Sequence, residues 1–235
     1  MKYRNLVHGL LERKVNRFIA EVFVHGVKEQ VHIKNTGRLT ELLQPGAEVL
    51  LEPGDQPGRK TRFSLVAAAK RGEWVNIDSQ APNKLVYEAI AAGRLKEFGA
   101  VSALKREVTF GGSRFDLYVE ADGQAGFIEV KGVTLEKDGV ALFPDAPTAR
   151  GTKHVLEMIQ AVQAGYLGAI LFVVQMTGCR GFAPYREMDP AFSEALERAA
   201  LKGVQILAYD SYMEGEHFIL GHPVPVQLYP LSSDC

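Results

Sequence analysis

The sequence predicts a two-domain protein of the α+β and α/β classes, with an N-terminal β-barrel over residues 1–78 and a C-terminal mixed sheet flanked by helices over residues 79–235. The first 70 residues contain short alternating runs between turn residues, with little helical periodicity. The rest of the chain alternates helical and strand runs, which is typical of an α/β domain. The two parts also differ in charge, because residues 1–72 hold 13 Lys and Arg against 7 Asp and Glu, whereas residues 73–235 hold 14 against 21.

The N-terminal strands follow a period of two. The runs "VNRFIAEVFV" (15–24) and "KEQVHIKN" (28–35) flank a His-Gly turn and predict a hairpin. The runs "AEVLLEP" (47–53) and "TRFSLVAAAKR" (61–71) supply further strands. Four or five short strands in about 70 residues fit a small closed barrel, and we expect an OB-like barrel that binds nucleic acid.

The C-terminal elements begin with a helix, "KLVYEAIAAGRL" (84–95), for which Asn83 is the expected N-cap. A three-strand meander follows, and after it helices and strands alternate. The meander strands are "AVSALKREVTF" (100–110), "SRFDLYVEA" (113–121) and "GFIEVKGVTL" (126–135), with turns at Gly111-Gly112 and Asp122-Gly123. The later elements are the helices at 148–165 and 189–203, the second capped by Asp189, and the strands at 166–176 and 204–213. The chain from residue 211 onward reads as a polar, peripheral tail.

The composition excludes several classes of protein. It is 46% hydrophobic and 23% charged, as in ordinary globular proteins. No apolar run approaches the length of about 18 residues that a membrane helix needs, and the charged N-terminus does not resemble a signal peptide. Two cysteines, Cys179 and Cys235, do not form a disulfide framework or a zinc site. We therefore expect a cytoplasmic protein without a membrane partner.

A pair of opposite charges interrupts the apolar strand at 127–135. Glu129 and Lys131 lie two positions apart, so both point to the same face of the strand. Burying two such charges costs several kcal/mol unless something compensates them. They can compensate each other, or a metal ion and a phosphate can do so. An exposed ion pair on an edge strand is the alternative.

Asp116 lies on the preceding strand, where hairpin pairing would bring it beside Glu129. Two adjacent carboxylates repel each other unless a cation lies between them, and Mg²⁺ prefers one or two carboxylates together with waters and phosphate oxygens. We therefore predict a Mg²⁺ or Mn²⁺ site formed by Asp116, Glu129 and Glu88, the last on the preceding helix. Lys131 completes the predicted catalytic set by supporting the attacking water or holding the phosphate.

The order Glu88, Asp116, Glu129-x-Lys131 resembles the PD-(D/E)XK nuclease-like fold. Four blocks extend the resemblance to the SfsA family, the sugar fermentation stimulation protein A homologues. They are "NTGRL" (35–39), "RFDLYV" (114–119), "EVKGVTL" (129–135) and "FPDAPTARGTKHVLEM" (143–158). The resemblance implies an OB-like domain, a PD-(D/E)XK-like domain, DNA binding without sequence specificity and a link to the regulation of sugar (maltose) metabolism. It assigns the family's motif positions to Asp116, Glu129 and Lys131, with Glu88 from the preceding helix.

The expected contacts with DNA fall into two groups. Near the N-terminus of a helix whose amides favour anions, Arg150, Lys153 and His154 have the spacing to share one face; solvated cations on a capped helix are the alternative. Asp145, just before them, is either a ligand or a turn residue. In the barrel, basic and small polar residues suit phosphate contacts, namely Arg17, Lys34, Asn35, Thr36, Gly37 and Arg38. Phe18, Phe23 and Phe63 offer rings on which bases can stack, although strand phenylalanines are more often core residues.

The sequence therefore predicts a DNA-binding protein with a metal-dependent site for phosphodiester hydrolysis. The alternative is a non-catalytic DNA-binding regulator of sugar metabolism on a nuclease fold. An enzyme that acts on RNA or on a nucleotide is a third hypothesis, and a homodimer is left open. The net charge of −1 favours the regulator, because avid sequence-independent binders are usually more cationic.

Overall fold

The structure is a computed structural model that describes residues 1–35, 37–54 and 58–228. The strands of these residues are β1 (Val7–Lys14), β2 (Ile19–Val24), β3 (Val27–Ile33), β4 (Glu48–Pro53), β5 (Phe63–Lys70), β6 (Glu73–Asn76), β7 (Val101–Phe110), β8 (Ser113–Ala121), β9 (Gln124–Val133), β10 (Leu135–Lys137), β11 (Val140–Phe143), β12 (Leu167–Val174), β13 (Gly181–Pro184), β14 (Gln205–Glu214) and β15 (His217–Pro223). The helices are α1 (Ala81–Ala91), α2 (Ala149–Gln163) and α3 (Pro190–Leu201), with a 3₁₀ turn at Lys96–Phe98.

The first five strands close into a barrel, which confirms the predicted OB-like domain. Strand β1 pairs with β2 and β4, β2 with β3, and β4 with β5, all antiparallel, and parallel pairing of β3 with β5 closes the ring. Alternate residues fill the interior, so that Leu11, Val22 and Leu51 are fully buried. The sequence did not predict β1, because its charged "ERK" segment hides the alternation. The predicted strand at 15–24 instead included the turn that joins β1 to β2.

The C-terminal domain contains a six-stranded mixed sheet in the order β15-β14-β12-β9-β8-β7. Strand β12 runs parallel to both β9 and β14 and is buried on both faces. Its alternate residues Ile170 and Phe172 belong to the core beneath α2 and α3, whereas Leu171 and Val173 belong to the core beneath α1. The predicted mixed sheet with flanking helices is therefore confirmed, and so are the meander β7-β8-β9 and the Asp189 cap of α3.

One prediction about the C-terminal domain is wrong, and one part of the domain was not predicted. The chain beyond residue 211 is not a peripheral tail, because β14 continues to Glu214 and β15 pairs with it. Phe218 of β15 is fully buried in the core beneath α1, so tertiary packing outweighs the polar composition of this segment. The unpredicted part is a second sheet of three strands, β10, β11 and β13. Strands β10 and β11 precede α2 in the sequence, and β13 follows it.

Buried polar groups dock the barrel against the mixed sheet. Gln175, which follows β12, donates from Nε2 to Oδ1 of Asn76 at 2.9 Å, and its carbonyl accepts the Asn76 amide at 2.9 Å. Asn76 in turn donates to the hydroxyl of Tyr3 at 2.8 Å. These side chains are almost completely buried, so each lost hydrogen bond would leave an unsatisfied polar group. The network holds the two domains in one orientation.

An ion pair between Lys70 and Glu136 (2.8 Å) links the barrel to the small sheet and predicts a pH-dependent contribution to stability. The Lys70 side chain and the Gly139 amide donate to Glu136 and hold the pKa of its carboxyl below the ordinary value of 4.5. Glu136→Gln should therefore lower the free energy of unfolding by about 1 kcal/mol near neutral pH.

This difference should shrink as the pH falls from 4.5 through the lower pKa of the folded state, because a depressed carboxyl pKa stabilises only while the group is ionised. Urea unfolding of both proteins between pH 7 and pH 3 measures it. Glu73→Gln, at an exposed position in β6, is the control. A difference that stays constant across this range would contradict the assignment.

Candidate functional site

The strands β8 and β9 separate at Asp116. Their pairing runs from Ala121–Gln124 to Leu117–Ile128, and the next position along the strands sets Asp116 opposite Glu129. At this position the side chain of Asp116 forms the hydrogen bond between the two strands, because its Oδ2 accepts the Val130 amide at 2.8 Å. Its other oxygen, Oδ1, accepts Nδ2 of Asn83 from the first turn of α1 at 2.7 Å. Asp116 is thus held in one orientation from two sides.

Glu129 is buried with one oxygen occupied and one without a partner. Its side chain is 3% exposed. Oε1 accepts Nζ of Lys131 and lies 2.6 Å from Nδ1 of His154, which α2 contributes. Oε2 is also buried, and no described residue forms a hydrogen bond with it. An unpaired buried carboxylate oxygen is costly unless a ligand meets it, so this atom points to a ligand site.

The two carboxyl groups have opposite pKa shifts. Burial, followed by the nearby charge of Glu129, raises the pKa of Asp116 above its ordinary value, although hydrogen bonds and Lys131 act against it. Burial alone would also raise the pKa of Glu129, but the hydrogen bonds from His154 and Lys131 lower it overall. Perturbed neighbouring carboxyls of this kind are typical of functional sites. A bound cation would relieve their mutual repulsion.

The donor set fits a divalent cation that keeps part of its water shell. Asp116 and Glu129 offer carboxylate oxygens, and Mg²⁺ commonly uses one or two protein carboxylates with waters and phosphate oxygens. Within the described parts of the chain, no three His, Cys, Asp or Glu side chains are grouped to hold a metal. The geometry therefore suits a cation shared with a substrate rather than one enclosed by protein ligands.

The structure does not bring Glu88 to this pair, contrary to the sequence-based expectation. Its carboxylate lies 3.0 Å from the amino group of Met1 and 4.0 Å from Lys84. Helix α1 begins at Ala81 with Gln80 at the N-cap, so Asn83 is not the cap either. Asn83 lies in the first turn of α1 instead, and its side-chain amide donates to Asp116. The start of the helix at Ala81 rather than at Lys84 explains the first-turn position of Asn83, and the packing of the N-terminus against α1 explains the partner of Glu88.

The cations of α2 do not share a face, which corrects a second prediction. His154 points inward to Glu129 and is buried, whereas Lys153 is exposed and donates to the Gly112 carbonyl at 2.9 Å. Arg150 is also exposed. The helix is capped by Thr148, whose hydroxyl accepts the Gly151 amide at 3.1 Å. The sequence contained a signal that His154 is buried, because it lies four residues before Met158 on the apolar stripe of the helix.

The predicted contacts in the barrel divide into structural and accessible residues. Lys34 forms ion pairs with Glu52 at 2.9 Å and Asp78 at 3.2 Å. The side chain of Asn35 donates to the Ile77 carbonyl at 2.8 Å and accepts the Gly37 amide, so it braces its own loop. The side chains of Arg17 and Arg38 are exposed, and Thr36 lies outside the described residues.

A cleft of about 450 Å³ separates the barrel from the C-terminal domain. The barrel contributes Arg17 and Arg38, and the other wall includes Gly132, Asp145 and Gln175. The cleft opens at the carboxyl ends of the parallel strands β9 and β12, where α/β sheets commonly bind ligands. We call Asp116, Glu129 and Lys131 the charged centre. Gly132, which lines the cleft, follows Lys131 directly in the sequence. A Cβ atom at Gly132 would lie 2.4 Å from Oε1 of Gln175, which leaves no room for a side chain.

No helix in the described ranges is long and apolar enough to span a membrane. The barrel, the mixed sheet and the carboxylate pair on β8 and β9 define the class: an OB-barrel protein joined to an α/β domain with a charged centre. Comparison with known proteins then identifies the family. The description "SfsA N-terminal OB domain" matches residues 12–77, and "Sugar fermentation stimulation protein RE domain" matches residues 80–217.

Similar proteins cover nearly the whole chain. A sugar fermentation stimulation protein homolog of Alkaliphilus oremlandii is 54% identical over 231 residues, which is 96% of this chain and 98% of that protein. One from Clostridium botulinum strain Langeland is 44% identical over 226 residues, with the same coverage of 96% and 98%. A solved structure, described as Pyrococcus furiosus SfsA in complex with Ca²⁺, has a TM-score of 0.88 and 31% identity, and covers 97% of this chain and 98% of its own. The chain belongs to the SfsA family.

Proposed function

We propose that this protein binds DNA and hydrolyses phosphodiester bonds with a divalent metal ion. The observation that carries the proposal is the buried Glu129, whose Oε1 is occupied by Lys131 and His154 while Oε2 has no partner among the described residues. Asp116 lies opposite Glu129 in the pairing of β8 and β9, and Gly132 of the same strand as Glu129 lines the cleft together with Arg17 and Arg38. The relative from Pyrococcus furiosus is described as a Ca²⁺ complex, which supports a cation site in this fold.

Asp116 and Glu129 would hold the metal ion. When bound, the ion supplies positive charge to the phosphate and lowers the pKa of a coordinated water. The protein groups around it act by orientation. The Val130 amide and Asn83 hold Asp116, and His154 holds Glu129, so both carboxylates stay in place without the cation. Lys131 donates one of its three N–H groups to Glu129, and the other two remain to position a water or a phosphate oxygen.

The cleft supplies the second requirement, a place for the nucleic-acid backbone. Arg17 and Arg38 lie on the barrel side of the cleft, and guanidinium groups pair well with phosphate oxygens. Such contacts position a strand without reading its sequence. Neither Lys34 nor Asn35 carries this role in the proposal, because both are engaged by protein groups.

A non-catalytic DNA-binding regulator is the second candidate. It is favoured by the absence, within the described residues, of a third acidic group beside Asp116 and Glu129. In that case the carboxylate pair serves mainly to balance Lys131 and His154. The two candidates differ in one property: only the first predicts metal-dependent turnover.

Purified protein incubated with labelled single-stranded DNA, double-stranded DNA and RNA, in Mg²⁺, Mn²⁺ or EDTA, tests the proposal. Cleavage in Mg²⁺ or Mn²⁺ that EDTA abolishes is the expected result. Lys131→Met should lower the cleavage rate by about 100-fold, because it removes the donor nearest to Glu129.

Lys202→Met, at the exposed end of α3, is the matched control and should leave the rate unchanged. Binding without cleavage under every metal condition would favour the regulator. Preferential cleavage of RNA would keep the site and change the substrate.

A further inference from the structure

The barrel carries a second groove, which we call the barrel groove, with a volume of about 750 Å³. Its side chains include Phe18, His32, Arg59, Lys60 and Lys84. The barrel groove meets the interdomain cleft, because Asn35 and Ser79 line both. The turn between β1 and β2 also bridges them, with Arg17 on the cleft and Phe18 on the groove. The two depressions therefore adjoin each other along the surface.

The barrel groove is cationic. Its lining includes Lys2, Arg59, Lys60 and Lys84, with Glu52 as an acidic side chain. Partial burial, and after it the charges of Arg59 and Lys34, lower the pKa of His32. Lys34 is neutralised by Glu52 and Asp78, but Lys60 is exposed. Arg59 donates to the Ser64 hydroxyl at 2.8 Å, which holds its guanidinium against the barrel. The groove is therefore suited to a polyanion, whose phosphates would lie near Arg59 and Lys60.

Phe18 distinguishes this groove from a general basic surface. Its side chain is 46% exposed, although its backbone is held firmly. The Phe18 amide donates to Oδ1 of Asn16 at 2.8 Å, and its carbonyl accepts the Ile33 amide at 2.7 Å. Of the phenylalanines offered above for stacking, Phe63 is buried in the barrel. An exposed ring on a hydrogen-bonded backbone at a cationic groove is a platform on which an unpaired base can stack.

We propose that the barrel groove binds single-stranded nucleic acid, with a base stacked on Phe18 and phosphates on Arg59 and Lys60. The strand then passes Asn35 and Ser79 into the interdomain cleft and reaches the charged centre. A duplex is a poor occupant, because its bases are already stacked on one another and offer no free face to Phe18. This inference rests on the proposed function and names its substrate class: a single strand, or the single-stranded part of a larger nucleic acid.

Fluorescence anisotropy tests the proposal with a labelled single-stranded oligonucleotide and a duplex of the same sequence, both in EDTA so that cleavage does not interfere. The wild-type protein should bind the single strand more tightly than the duplex. Phe18→Ala should weaken single-strand binding by about 10-fold, because base–aromatic stacking is lost. Lys60→Ala should reduce the slope of log K against log salt by about 0.7, as expected for one lost phosphate contact on a single strand.

Phe23→Ala is the matched control, because Phe23 is 37% exposed but does not line the groove. Lys202→Ala is the control for the loss of one positive charge outside the groove. Thermal melting checks that every variant is folded. Equal affinity for both forms, or equal effects of Phe18→Ala and Phe23→Ala, would overturn the inference. If Phe18→Ala changes nothing while a carboxylate variant abolishes cleavage, only the groove assignment fails. If neither nucleic acid binds, the proposed function fails with it.

Discussion

Replacing Asp116 with Asn should lower the rate of metal-dependent cleavage by about 1,000-fold, because the loss of a metal ligand removes several kcal/mol of transition-state stabilisation. Asn keeps the shape of the side chain and one of the two acceptors that Asn83 and Val130 engage. Affinity for single-stranded nucleic acid should stay within about twofold, because phosphate contacts in the cleft and the groove are untouched. Gel assays of cleavage and anisotropy in EDTA measure the two quantities.

Glu120→Gln is the control for this change. Glu120 lies on the same strand as Asp116, but its carboxylate accepts the Tyr118 hydroxyl at 2.7 Å. It should leave cleavage unchanged. If Asp116→Asn retains most of the wild-type rate, the carboxylate pair is not the hydrolytic centre. If it loses cleavage and binding together, the variant has lost the site's structure, and thermal melting distinguishes that case.

Phe172→Ala should lower the free energy of unfolding by about 3–5 kcal/mol, the usual cost of truncating a buried phenylalanine. Phe172 is fully buried in β12, its ring stacks on Phe182 with centroids 4.1 Å apart, and Phe143 packs against it at 5.5 Å. Truncation would leave a cavity between the mixed sheet and the small sheet. Urea unfolding measures the loss.

Phe172→Leu keeps most of the volume and should cost clearly less than Phe172→Ala. Phe23→Ala, at an exposed ring, should change the free energy of unfolding by less than about 0.5 kcal/mol. Comparable losses for Phe172→Ala and Phe23→Ala would contradict the packing described here. The position also matters for the site, because Phe172 is the register partner of Lys131 in the parallel pair of β12 and β9.

Local patterns predicted much of the fold. The meander of β7, β8 and β9 follows from alternation between two glycine-containing turns, and the start of α3 follows from Asp189 and Pro190. Such signals lie within a few residues of one another. They fail where packing supplies the missing stabilisation, as in β1, half of whose residues are polar, and in β15, which pairs with β14.

The candidate site likewise has features that follow from local sequence and features that follow from packing between elements. The period of a strand sets Glu129 and Lys131 on one face, and the sequence alone determines that two charges meet there. It also determines that Asp116 lies one hairpin away. The sequence does not determine which helices complete the site. Its patterns favoured Glu88 and a shared face of Arg150, Lys153 and His154. In the structure Glu88 pairs with Met1, and of the three α2 residues His154 reaches Glu129.

Only the tertiary structure places Asn83 against Asp116, 33 positions away, and His154 against Glu129, 25 positions away. It alone also sets the arginines of the barrel across a cleft from Gln175. The physical reason is that the strand period fixes the direction of a side chain within its own element. The choice of partner across elements depends on the rotation and docking of whole helices and domains, which many distant contacts decide together.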